Sequence, residues 1–357
     1  MIKKECFTTE WIEQVASELH YNDKNLIEKV IRALSLLEML VKAGCPLVFK
    51  GGTALMLILG KSAHRLSIDI DVICPPGTNI EDYLKSFADF GFINLELVER
   101  KQRDDADIPK SHSKFFYQIA YRNDTNAQSY ILLDVLYEDI HYFQTRQIAI
   151  DCPFIRLEEE PLMVTVPSAE DILGDKLTAF APNTTGIPYY KNGRSCSMEI
   201  AKQLYDVGRL FENISGLQIT AETFRKIAVV ELSYRSLGTD IGQVFNDIRQ
   251  TALCISTRGK SEGGDFNLIQ DGIIRVKSFM YKQRYLIDHA IIDAARAAYL
   301  ATLIEKGINE IESYSNNPAD IKDMVIRPSL PNKLNKLRSN LPEAYYYWAK
   351  TSELLEA

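Results

Sequence analysis

The sequence predicts an α/β domain over residues 1–165, built on a mixed sheet, followed by a mainly helical domain over residues 166–357. Three observations carry that reading. In the first part, short runs rich in β-branched and aromatic residues alternate with helical periodicity. The character changes between Pro161 and Pro167, and beyond it helix signals follow one another with little else. A chain of 357 residues also has material for two cores of ordinary size.

The elements follow in order. Residues 25–41 read as an amphipathic helix: Leu26, Ile27, Val30, Ile31, Leu34, Leu37 and Val41 recur at helical spacing, and Asn22 or Asp23 can cap the start. Pro46 precedes a short strand of Leu47, Val48 and Phe49. Lys50, Gly51, Gly52 and Thr53 read as a turn, and residues 54–59 as a brief apolar helix. Residues 67–73 alternate with period two and read as a strand. A helix is expected over 80–90, with further strands over 115–121 and 130–137. In the second part, helices are expected over 169–181, 197–212, 221–232, 239–256, 268–282 and 286–313.

Composition excludes several classes. Hydrophobic residues make up 46% and charged residues 25%, the balance of a globular protein rather than a disordered one. No run of about 18 apolar residues exists, so no membrane span is expected. No apolar stretch follows the opening Met1, Ile2, Lys3, Lys4 and Glu5, so no signal peptide is expected either. The 6 cysteines are scattered without a C-x-x-C pair, which argues against zinc and suits free thiols in a cytoplasmic protein. The 5 histidines are equally dispersed. A net charge of -7 removes the simplest electrostatic argument for coating nucleic acid, while leaving room for a local basic groove.

The most informative stretch runs from Phe49 to Val72. Two glycines between a strand and a helix let the backbone approach a bulky ligand, and the helix start offers free N–H groups suited to phosphate. Thr53 can cap that helix or donate to a phosphate oxygen. Asp69 and Asp71 are two apart on the expected strand, so they share a face with Cα atoms about 6.5 Å apart. Ile68, Ile70 and Val72 fill the opposite face. Adjacent carboxylates repel, and a divalent cation relieves that repulsion. Carboxylate oxygens plus substrate phosphates are what Mg²⁺ prefers.

In order and separation, Gly51, Gly52, Thr53, Ala54, Leu55, Gly60, Arg65, Ser67, Asp69, Ile70 and Asp71 resemble the first motif of the AbiEii family of nucleotidyltransferases. That family belongs to the DNA polymerase β-like nucleotidyltransferase superfamily. The resemblance covers the N-terminal domain clearly and extends into the helical half. The superfamily usually has Gly-Ser where this chain has Gly52-Thr53, a change that keeps the hydroxyl. The resemblance implies a polymerase β-like nucleotidyltransferase domain that moves a nucleoside monophosphate from an NTP to an acceptor, with Mg²⁺ (or Mn²⁺) as cofactor. It implies NTP contacts at Gly51, Gly52, Thr53, Arg65 and Ser67, and metal ligation by Asp69 and Asp71. Members are commonly the toxin half of a bacterial toxin–antitoxin or phage-defence pair. The resemblance implies a separately encoded antitoxin and an RNA acceptor, the 3′ end of a tRNA; a protein hydroxyl or a small molecule as acceptor, and a nucleotide- or antitoxin-binding module without turnover, are the alternatives.

Related enzymes bring a third carboxylate from a neighbouring strand. The candidate is Asp134, a lone acid among Tyr130, Ile131, Leu132, Leu133, Val135 and Leu136, costly to bury there unless compensated. The resemblance makes it a third catalytic and metal-binding acid.

Further along, Ser168 reads as an N-cap with Glu170 and Asp171 in the first turn. Lys176 falls within the apolar stripe of Ala169, Ile172, Leu173, Leu177 and Phe180, so it must snorkel out or meet an anion. It matches the family's phosphate-binding lysine. On the next helix, Lys202, Asp206 and Arg209 share a face opposite Ile200, Leu204, Val207 and Phe211. Helix geometry alone makes Lys202 and Asp206 a solvated i, i+4 pair. Lys202, Asp206 and Val207 resemble the family's fourth motif, which implies the alternative, that Asp206 orients Lys202 or binds near the nucleotide. The stretch 181–194 reads as a polar loop whose Lys191 and Arg194 are either phosphate contacts or solvated charges. Near the C-terminus, Lys322, Arg327, Lys333, Lys336 and Arg338 precede Tyr345, Tyr346, Tyr347 and Trp348. These form either an RNA-binding stretch or a solvated segment whose aromatics pack inward.

Overall fold

The computed structural model describes residues 1–98, 109–120 and 127–357. The chain divides into two units, Met1–Ser168 with Ser278–Arg284, and Ala169–Lys277 with Tyr285–Ala357.

The first unit holds α1 (Thr9–Glu18), α2 (Lys24–Lys42), β1 (Val48–Lys50), α3 (Gly51–Leu59), β2 (Ile70–Cys74), β3 (Asn94–Val98), β4 (Lys110–Gln118), β5 (Gln128–Tyr137), β6 (Thr145–Ala149) and β7 (Met163–Pro167). Five strands form a mixed sheet in the order β1-β2-β5-β4-β3, with β2 and β5 parallel and the other pairs antiparallel. β6 and β7 form a separate antiparallel pair. Helix α2, capped by the Asp23 side chain, packs on β2 and β5 and buries nearly every turn. Its buried acids each accept a backbone N–H. Glu28 accepts from the Ala120 N–H at 3.0 Å, and Glu38 from the Ile2 N–H at 2.9 Å.

Residues 278–284 return to this unit and brace the first motif. Leu66 N donates to Phe279 O at 2.8 Å, Tyr281 N donates to His64 O at 2.9 Å, and Arg65 bridges to Met280. Tyr281 is buried edge-on against Phe154 in the core.

Several local expectations shift. Helix α3 begins at Gly51 rather than at Ala54. The carboxylate strand begins at Ile70, because residues 64–66 are engaged by the 278–284 segment and the Asp69 carbonyl by Thr53. Residues 80–90 form two 3₁₀ turns rather than a helix. The second ends where α2 captures its carbonyls, Ser35 Oγ donating to Phe90 O and Arg32 Nη1 to Gly91 O. The expected strand over 115–121 is the latter part of β4, and its last residue, Tyr121, lies outside the described residues.

The second unit contains α4 (Ala169–Ala179), β8 (Tyr190–Lys191), β9 (Arg194–Ser195), α5 (Ser197–Phe211), α6 (Gln218–Tyr234), α7 (Gly242–Ser256), α8 (Phe266–Val276), α9 (Ile287–Lys306), α10 (Leu337–Asn340) and α11 (Pro342–Glu356). Helix α9 is central. Its alanines at 290, 294, 295, 297, 298 and 301 are fully buried, and the small side chains let α5, α7 and α11 pack closely around it. The Tyr345–Trp348 run lies on α11 and is buried, with Trp348 Nε1 donating to Ser256 Oγ at 3.0 Å. These aromatics are core, not a stacking platform for bases. The 181–194 stretch ends in a tight hairpin, where Asn192 (φ 51°) and Gly193 (φ 73°) turn β8 into β9.

Candidate active site

The site is assembled by strand register. Lys50 on β1 lies opposite Asp71 on β2, Asp71 opposite Asp134 on β5, and Asp134 opposite His112 on β4. Residues directly opposite one another share a face. A half-buried row Lys50–Asp71–Asp134–His112 therefore crosses four strands, while Ile70, Val72, Leu133 and Val135 are buried on the other face. His112 Nδ1 is hydrogen-bonded to Asp134 Oδ1. Neither His112 nor Lys50 stood out in the sequence. The alternation of β4 gives the face of His112, but only the register gives its partner.

The helix start closes one side of Asp71. Gly51 has φ +78°, and a Cβ there would lie 2.1 Å from Asp71 Oδ2. A Cβ on Gly52 would lie 2.6 Å from Ser67 Oγ and 3.0 Å from Arg65 Nη2. The two glycines are thus required by the side chains of the same motif. Arg65 is buried, with Nη1 donating to Leu66 O at 3.1 Å. Thr53 is fully buried and its Oγ1 donates to Asp69 O at 2.7 Å. It is not the helix cap, which is Lys50, and its hydroxyl fixes the backbone of Asp69. Asp69 itself is exposed just ahead of β2 and stands outside the row.

Among the described residues, no three His, Cys, Asp or Glu side chains converge closely enough to enclose a cation. The row instead offers two neighbouring, half-buried carboxylates, with Asp69 beside them in sequence. That suits Mg²⁺, which keeps waters and takes one or two carboxylates plus substrate phosphates rather than an all-protein cage.

In the second unit, Lys176 on α4 meets an anion. Its Nζ lies 2.9 Å from Asp206 Oδ2 and donates to Gln203 Oε1 at 2.9 Å. Lys176 is 7% exposed and Asp206 is 1% exposed. The expected solvated face of α5 is therefore inward at Asp206, while Lys202 on the same helix is half-buried. Arg209 also turns to a buried acid, Asp293, at 3.5 Å. Lys191 and Arg194 are exposed on the β8–β9 hairpin.

The family model described as "Nucleotidyl transferase AbiEii toxin, Type IV TA system" matches residues 34–320. JHP933 from Helicobacter pylori is similar at 15% identity over 83% of this chain and 94% of its own, with a TM-score of 0.38. MenT4, a nucleotidyltransferase toxin from Mycobacterium tuberculosis, is similar at 15% identity over 82% of this chain and 89% of its own, with a TM-score of 0.48. No curated protein sequence matches the chain. No helix among the described residues is long and apolar enough to cross a membrane. The family match spans most of the chain, both units included, and the chain belongs to the AbiEii nucleotidyltransferase toxin family.

Proposed function

We propose that this nucleotidyltransferase transfers a nucleoside monophosphate from a Mg²⁺-bound NTP to the 3′ end of an RNA, a tRNA in particular, as the toxin of a pair whose antitoxin is a separate protein. The observation that carries the reading is the Asp71–Asp134 pair, side by side on parallel strands with Gly51 against Asp71. Asp71 and Asp134, with Asp69, would hold Mg²⁺, which when bound supplies charge neutralisation for the pyrophosphate leaving group.

The protein's own groups divide the remaining work. Backbone N–H groups at Gly51 and Gly52 receive the triphosphate, with Arg65 and Ser67 over Gly52 ordering that approach. Asp134, held by His112, accepts the proton of the attacking ribose hydroxyl. That oxygen bonds to the α-phosphorus while the bond to pyrophosphate breaks. Lys176 has one N–H beyond those given to Asp206 and Gln203, and we assign it to phosphate. Lys202 and Asp206 are assigned to the same nucleotide-binding function, Asp206 through its hold on Lys176.

The test incubates purified protein and Mg²⁺ with each α-labelled NTP in turn, plus total cellular RNA and protein, with Asp69→Ala/Asp71→Ala as control. Label in tRNA-sized RNA, absent with the control, supports the reading and names the base. Label on protein, or label independent of both aspartates, rejects the acceptor or the site respectively.

A further inference from the structure

The second unit concentrates positive charge that the catalytic assignment does not use. The turn after α7, the start of α9 and the α10 region enclose a cavity of about 360 Å³. Arg258, Lys260, Lys333 and Lys336 line it, and Asp288 is its single acid. A second cavity of about 660 Å³ shares Lys260 and Lys333 with the first. Those two lysines therefore face both hollows. Lys333 Nζ is tied to the Lys260 carbonyl, which holds its ammonium group beside the turn carrying Lys260.

Two features make this more than a solvated charge run. Over the two hollows Arg249, Arg258, Lys260, Lys333 and Lys336 face Asp288 and Glu262, on a chain whose net charge is -7, so the cluster runs against the charge of the whole. Arg258 also sits at φ +53°, just after the last turn of α7, where glycine or asparagine is the unstrained choice. Its guanidinium reaches Asp288 at 2.7 Å on the cavity wall. Backbone strain is thus accepted at the position that brings an arginine to the cavity.

Mutually repelling cations are relieved by an anion. A single phosphate would occupy one hollow, whereas the sharing of Lys260 and Lys333 favours an anion running past both. We propose that Arg258, Lys260, Lys333 and Lys336 bind the phosphate backbone of the RNA acceptor, a site that rests on the RNA-acceptor reading above. The contacts are to phosphate, so they hold RNA without selecting its sequence.

The experiment measures binding of fluorescently labelled tRNA by the full-length protein across a salt series. Lys260→Glu/Lys333→Glu/Lys336→Glu is compared with Lys4→Glu/Lys277→Glu/Lys306→Glu, which makes the same charge change at exposed positions off both cavities. Thermal melts check that both variants fold. The cavity variant is expected to bind at least about tenfold more weakly near 0.1 M salt, with a salt slope shallower by about two to three. The control variant is expected to stay within about twofold of wild type. Equal loss in both variants, unchanged binding in the cavity variant, or no tRNA binding by wild type overturns the proposal. Loss of ATP binding in the cavity variant with tRNA binding intact also overturns it, by giving the cavity to a nucleoside triphosphate. The acceptor reading is judged separately, by where label goes in the transfer assay.

Discussion

Lys176 Nζ and Asp206 Oδ2 are 2.9 Å apart on helices α4 and α5, with both side chains nearly removed from solvent. A buried pair of this kind is strongly destabilising to break from one side, because the remaining charge has no water to turn to. Lys176→Met or Asp206→Leu alone should each lower unfolding free energy by about 3 kcal/mol. The double variant should lose much less than the sum. Urea denaturation of the four proteins checks this, and additive losses would show that the two charges do not depend on each other.

Gly51→Ala tests the contact between the α3 start and Asp71. The substitution asks for a side chain at φ +78° and places it 2.1 Å from Asp71 Oδ2, so either the carboxylate or the helix start must move. Nucleotidyl transfer should fall by about 100-fold or more, with a stability loss of about 1–3 kcal/mol. A variant with wild-type rates would mean that Asp71 can shift without consequence for the chemistry.

His112 bears on Asp134 as a positioning residue. His112→Ala removes the hydrogen bond that fixes the Asp134 carboxylate but leaves the Gly51–Gly52 backbone untouched. The expected result is a fall in kcat of about tenfold to 100-fold with KM for NTP little changed. His112→Asn, which can still donate to Asp134, should recover part of the loss. A rise in KM alone would place His112 in nucleotide binding instead.

A pH dependence of stability is built into α9. Burial pushes the Asp293 carboxyl up to about 6, although Arg209, Arg296 and the Tyr285 hydroxyl all pull the other way. The folded protein therefore keeps a proton on Asp293 that the unfolded chain has lost between about pH 4 and about pH 6. Stability from this group falls as pH rises through that window, by about 3 kcal/mol at most. Asp293→Asn, which can keep a hydrogen bond to Tyr285, should gain on wild type across the window and hold a constant difference above it. Urea midpoints at several pH values read this directly, and a difference that does not change with pH would show that Asp293 does not titrate there.

What was legible in the sequence was whatever depends on periodicity and local chemistry. The amphipathic spacing of α2, the two glycines that open α3, the alternation around Asp71 and the anomalous Lys176 could all be read from neighbours along the chain. What depends on register was not. Strand periodicity shows that His112 and Asp134 each occupy one face of a strand, but not that they stand opposite each other. Helical spacing made Asp206 the neighbour of Lys202, whereas packing of α4 on α5 brings it to Lys176. The Asn192-Gly193 pair is a hairpin signal, but the strands it joins are only two residues each and leave no alternation to read.

The return of residues 278–284 to the first unit sets an order on synthesis. The backbone around Arg65 is not braced until the ribosome has passed residue 284, by which time helices α4 to α8 have already been made. A product terminated before residue 278 can carry Asp69, Asp71 and Asp134 but lacks the segment that steadies residues 64–66. For a member of a toxin family, the enzyme is finished late in its own translation, and fragments of it are born incomplete.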